Sequence, residues 1–309
     1  MGVFVFLPLV LPLTAWPVAR LAEQHLHPRT ATRLLTAVAG VMALCSTLCL
    51  ALLMVVGTAQ LPGNPLPDGW SDPEVRAAVP YDGVAGRAAI PALAVVLVVC
   101  TRVVVRHHLV RRRARRALAG HDRGVAVVPD TVPYAYALPG GDRDRVVVTT
   151  GLLGVLTGPE RRALFAHERA HLAARHHRHL LVAQLAARAN PFLLPLRTAV
   201  AYSTERWADE DAARSVHDRR VVARAIGKAA LVSRAAPAPT LAGLAAPGPV
   251  PRRVAALLRP APTAHSWPPA GTGIGLAAWA AAVGTAVSAM SSANSAVTMI
   301  RILHDATFL

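Results

Sequence analysis

His167-Glu168-Arg169-Ala170-His171 puts two imidazoles and a carboxylate within five residues, at the HExxH spacing that zinc-dependent hydrolysis requires. On a helix, residues four apart share a face about 6 Å apart, so His167 and His171 can reach one Zn²⁺. Glu168 falls one position round, beside the metal, where a carboxylate takes a proton from an attacking water; the reaction implied is peptide-bond hydrolysis. A third ligand is offered by Glu205-Arg206-Trp207-Ala208-Asp209. Glu205 completes a His₂Glu set whose fourth position is left for water, and Asp209, one helical turn on, accepts a hydrogen bond from a ligand imidazole and fixes its tautomer. His177 is the rival, at the third-histidine spacing of HExxHxxGxxH. That pattern needs glycine where Ala174 stands and a later methionine turn, yet no Met lies between Met54 and Met290. His176, His177 and His179, interleaved with Arg175 and Arg178, read as the cationic end of a helix or a polar rim, with a supporting role at the metal left open for one of them.

The elements that must hold these groups are also marked. Thr157-Gly158-Pro159-Glu160 is a capping box with proline in the first turn, which starts a helix before the HExxH run. Residues 196–216 read as a second helix carrying Glu205 and Asp209. Ahead of both, residues 125–129, 134–138 and 145–150 read as short strands, the last two separated by a Pro-Gly-Gly-Asp turn at 139–142. Residues 180–202 are apolar but broken by Arg188, Asn190, Pro191, Pro195 and Arg197, so buried or interfacial helices are expected there. Residues 235–251, rich in Ala, Pro and Gly, read as a loop before a short helix at 252–258.

The chain of 309 residues is 53% hydrophobic, too apolar for an ordinary soluble enzyme of this length, and its apolar residues come in blocks. Residues 3–18 (broken by Pro8, Pro12 and Pro17), 34–59, 88–105 and 271–293 predict four crossings. The first block lacks a basic leader, so it is expected to be retained and not cleaved. Arg102 to Arg123 holds eight arginines, whereas 61–87 holds four acids against Arg76 and Arg87. The excess of arginine beside a span marks the cytoplasmic side, so the HExxH segment is expected in the cytoplasm, 61–87 outside, and the amino terminus outside. The net charge of +16 is densest beside the membrane, where anionic lipids are the simpler partner; direct nucleic-acid binding is not expected. Cys45, Cys49 and Cys100 fall within spans and read as packing residues.

The HERAH motif, the ERWADEDAA stretch with Glu205 and Asp209, the VVVTTGLL strand before the catalytic helix and the arrangement of spans together resemble the integral-membrane gluzincins of the β-lactam-sensor (BlaR/MecR) type, peptidase family M56, related to the M48 group of CAAX-protease and HtpX-like enzymes. The resemblance implies a multi-pass α-helical membrane protein with an inserted zincin-like (gluzincin) α+β metallopeptidase domain. The expected division is three transmembrane helices in 1–106, a cytosolic zinc metallopeptidase domain in 107–269, a fourth transmembrane helix in 270–293 and a short extracytoplasmic tail in 294–309. It implies a bacterial cell-membrane enzyme with one Zn²⁺ per chain, acting on protein or peptide substrates, a transcriptional repressor being one candidate. Tyr134, Ala135, Tyr136, Ala137 and Leu138 would form the edge strand that takes the substrate backbone. The antibiotic-sensing members carry a large extracellular domain after the last span, whereas about sixteen residues follow Ala293 here, so β-lactam sensing through such a domain is not expected. Two alternatives are a quality-control or CAAX-type protease of the M48 kind and a zinc-dependent receptor without turnover.

Overall fold

The computed structural model describes residues 6–64, 66–71, 82–118, 124–140, 144–232, 249–262 and 271–307. Most of it is helical. Three of its helices are long and apolar enough to cross a membrane: α3 (Pro28–Ala59), most of α4 (Asp82–Ala117) and most of α11 (Gly273–Thr307). Each is about 50 Å long at 1.5 Å per residue, longer than a hydrocarbon layer of about 30 Å. They expose large apolar side chains such as Leu44, Val95, Leu97, Leu276, Val283 and Met290, a surface that suits lipid contact. The α3–α4 crossing is close because Gly57 meets Gly86; a Cβ on Gly57 would fall 2.2 Å from the Gly86 backbone.

The expected first crossing, residues 3–18, is not among these long helices. Within the described residues this stretch is a helix of four residues, α1 (Leu7–Val10), a 3₁₀ turn at Leu11–Thr14, and α2 (Ala15–His25). Pro8, Pro12 and Pro17 account for the breaks, since proline offers no backbone N–H to a continuing helix. These pieces pack against α3 and α11. Residues 72–81 of the expected outer loop, the glycine turn at 141–143 and most of the expected loop at 235–251 lie outside the described residues.

The polar segment between α4 and α11 begins with β1 (Val125–Val128), β2 (Ala135–Leu138) and β3 (Arg145–Thr149). Their order is β1-β3-β2, with β1 parallel to β3 and β2 antiparallel to it, so β2 is an edge. β3 is buried on both faces through Val146, Val147 and Val148. A short α5 (Thr150–Val155) leads to α6 (Gly158–Ala173), whose capping box forms as expected: Thr157 N–H donates to Glu160 Oε2 at 2.9 Å. α6 stops at Arg175, which adopts a left-handed φ of 52°, a conformation that costs a non-glycine residue roughly 1–2 kcal/mol. α7 (His176–Ala189) follows, then a 3₁₀ turn at Pro191–Leu193, α8 (Leu194–Val216), α9 (Arg219–Val232) and α10 (Val250–Leu257).

One apolar cluster joins the expected membrane and peptidase portions. Leu35, Val38, Ala39 and Met42 of α3 pack with Ala183 and Ala186 of α7, Leu196, Ala199 and Val200 of α8, and Ala15 and Ala19 of α2. Alanine dominates these contacts, which lets the helix axes approach closely. α8 is thereby fixed against a long apolar helix on one flank and against α6 on another.

Candidate metal centre

α6 and α8 bring His167, His171 and Glu205 together. His167 Nε2 and His171 Nε2 are 3.1 Å apart, and Glu205 stands 3.6 Å from the first and 3.5 Å from the second. All three ligand atoms fall within 4.8 Å of one another. For Zn–N and Zn–O bonds of about 2.0–2.1 Å, the edges of a tetrahedron are about 3.3 Å. The donor set therefore fits one Zn²⁺, with chemistry and spacing agreeing.

Around these groups lies a buried shell of partners. His167 Nδ1 is 3.1 Å from Asp209 Oδ1, and Asp209 is fully buried. Asp209 in turn accepts two hydrogen bonds from Arg253, from Nε at 2.8 Å and from a terminal nitrogen at 2.6 Å, while the other terminal nitrogen of Arg253 is 2.8 Å from Glu205. Burial alone would raise the pKa of both carboxylates, but Arg253 foremost, with the imidazoles, holds Glu205 well below the usual range and lowers Asp209 as well. Burial works against charge on His167, yet Asp209 and Glu205 outweigh it and push its pKa up to about 10. His171 goes the other way, to about 4, because burial prevails there.

His176 is the supporting histidine. Its Nδ1 lies 2.9 Å from His171 Nδ1, and its ring meets Trp207 edge-on at 4.7 Å between centroids. For His171 Nε2 to hold a metal, its proton must sit on Nδ1 and be donated to His176 Nδ1. His176 must then be neutral, and burial lowers its pKa to about 2. This corrects the reading of His176 as part of a cationic rim: it is 1% exposed. His179 instead contacts Thr36 Oγ1 at 3.2 Å, and His177 lines a separate cavity.

Glu168 is buried beside the ligands, and burial lifts its carboxyl to about 7, with Glu205 adding and His167 and Arg253 opposing. The Ala137 backbone on β2 also opposes the rise, and β2 packs against the helix that carries Glu168. Of the five residues expected to meet substrate, Leu138 is buried in a cluster with Leu118 and Val147, and Tyr136 packs on the same cluster. Ala135 packs on the cluster of Val148 and Leu152. What β2 has to offer a peptide is its backbone, as on any edge strand.

Arg253 was not a candidate from sequence. It is one of 33 Lys and Arg residues, its neighbour Arg252 is exposed, and nothing in its spacing relates it to residues 44 positions earlier. Its helix is docked by Arg219, which bonds the carbonyls of Ala256, Leu257 and Arg259 while pairing with Glu210 of α8.

Residues 104–188 match the family model of peptidase family M48. No curated protein and no solved structure matches the chain. The matched segment includes His167, Glu168, His171 and His176, while Glu205, Asp209 and Arg253 lie beyond it. This match to part of the chain suggests a metallopeptidase, and the family it names is M48 and not the M56 sensor type expected by resemblance.

Proposed function

We propose that this chain is a membrane-embedded zinc metalloendopeptidase that cleaves cytosolic or membrane-proximal proteins. The observation that carries the reading is the meeting of His167, His171 and Glu205 at 3.1–3.6 Å, with Glu168 buried beside them. Zinc, when bound, polarises the scissile carbonyl and acidifies water. Glu168 takes the proton of the attacking water and passes it to the leaving amine, a role suited by its place buried beside the three metal-binding groups. Asp209 and His176 hold the two imidazoles in orientation, and Arg253 offsets the buried negative charge of Glu205 and Asp209. The substrate backbone pairs with β2, which gives affinity with little sequence restriction.

The long apolar helices α3, α4 and α11 support a membrane location, and the arginine excess in the carboxyl-terminal part of α4 supports a cytoplasmic catalytic side. Cleavage of a repressor protein is one form of the activity. The match to family M48 favours the other form, a membrane-protein quality-control or CAAX-type protease. A receptor without turnover has no use for a base at Glu168.

The test is Glu168→Gln in the full chain purified in detergent, with cleavage of β-casein and bound zinc both measured. Cleavage should fall by about 10²-fold or more with zinc retained. A rate near wild type would remove Glu168, and with it the hydrolase reading.

A further inference from the structure

A cavity of about 580 Å³ opens between α4, the α6–α7 junction and Pro139, Gly140 and Asp144, within the size range of small-molecule sites. His107, Arg111, Arg175, His177 and Arg178 line it, with Asp144 as its one acidic group among the described residues. None of the metal-centre residues does. Asp144 already accepts the Gly140 N–H at 2.8 Å. Among the described residues no carboxylate lies within ion-pair distance of Arg111, Arg175 or Arg178. His107 is 5% exposed, and neither of its ring nitrogens has a hydrogen-bond partner among the described residues; the same holds for Arg111 Nε. Buried donors without partners are rare because their lost hydration is not repaid, and they point to a ligand.

The height of the cavity in the bilayer identifies its chemistry. The apolar run of α4, residues 88–105, is about 27 Å long, close to the hydrocarbon thickness. His107 and Arg111 follow it by about 3 and 9 Å, the depth of the headgroup layer. α7 is held in step with α4, since Cys100 Sγ lies 3.9 Å from the Leu185 carbonyl. Eight residues back along α7 from Leu185 is His177, and eight residues on from Cys100 is His108, so the two helices bring their basic residues to one level. Three guanidinium groups with imidazole donors match a phosphate and repel the quaternary amine of a zwitterionic headgroup.

We propose that this cavity binds the phosphate of an anionic phospholipid headgroup. The proposal rests on α4 crossing the membrane and is independent of catalysis. Leu172, in the last turn of the HExxH helix, and Arg175, just beyond it, also line the cavity, so the bound headgroup ties that helix to the bilayer surface.

The test is native mass spectrometry of the full chain in detergent, titrated in separate arms with dioleoyl phosphatidylglycerol, dioleoyl phosphatidylcholine and inorganic phosphate. Phosphatidylglycerol should bind best. Arg111→Gln with Arg178→Gln should weaken it by about tenfold or more, while Arg112→Gln with Arg113→Gln, exposed on the same helix, should leave it within about twofold. Arg178→Gln alone changes an exposed residue and should weaken binding by about threefold or more, which keeps the test available if the pair does not fold. Equal losses in both pairs, or none in the cavity pair, would overturn the site. Inorganic phosphate competing at the same concentration would assign the cavity to free phosphate and overturn the lipid. A chain that stays in solution without detergent would instead refute the crossing of α4, a separate result from failure to bind phosphate.

Discussion

Glu205 and His177 offer themselves at plausible spacings from HExxH, and the folded chain treats them differently. The Glu205 carboxylate stands 3.5–3.6 Å from the imidazoles of His167 and His171, whereas His177 faces Arg111 and Arg178, and burial first, then these charges, lower its pKa to about 4. Metal content should follow this geometry. Glu205→Ala should strip zinc from the purified protein, and His177→Ala should leave it nearly unchanged. Asp209→Ala should be intermediate, with a loss of about 10–100-fold in affinity or activity, because it removes the partner of a ligand and not the ligand. Zinc lost from His177→Ala but kept in Glu205→Ala would reverse the assignment.

Two helices are held by charges whose removal should be measurable. At the start of α6, Glu160 is 2% exposed, accepts the Thr157 N–H and pairs with Lys228 of α9 at 2.8 Å. Burial raises its pKa, but Lys228 and Thr157 together bring it below the ordinary value. A depressed folded pKa contributes stability that is present above the unfolded value of about 4.3 and is lost as pH falls through the folded value. Glu160→Ala should cost about 1–2 kcal/mol at neutral pH, most of it from the cap since Lys228 is partly exposed, and the deficit should shrink in acid. Thermal melts at pH 7 and pH 3.5 check this. For α10, Arg253→Met removes the cation shared by Glu205 and Asp209. The metal-free protein should lose roughly 3–5 kcal/mol, as when a buried pair is broken, and the zinc-loaded protein less, because the ion supplies positive charge at the same carboxylates. Equal drops in melting temperature with and without zinc would show that Arg253 does not serve the metal centre.

At the scale of the molecule, the long apolar helices and the metal centre share one core: α3 packs on both α7 and α8. Detaching residues 1–106 should therefore expose the apolar face of α8 and not release a folded peptidase. The proposed direction of insertion rests on the charge asymmetry and is open to a direct test. A reporter active only outside the cytoplasm should be silent when fused after Gly120 and active when fused after Leu309, since α11 lies between the two points. The reverse pattern would place the centre outside and exclude cytosolic substrates.

The sequence by itself determined what is local: the two imidazoles and Glu168 on one helix, its capping box, the three strands to within a residue, and the places of the apolar runs in α3, α4 and α11, although α11 continues as helix to Thr307 through most of the expected tail. Spacing of 3.6 residues and the chemistry of caps and turns act within a few residues, so they are readable in order along the chain. Only the tertiary structure decided that β3 lies between β1 and β2, that His176 turns inward onto His171, and that Arg253 closes the site. Those outcomes depend on which surfaces meet across tens to hundreds of residues, and an arginine buried against two carboxylates carries the same letter as one in water.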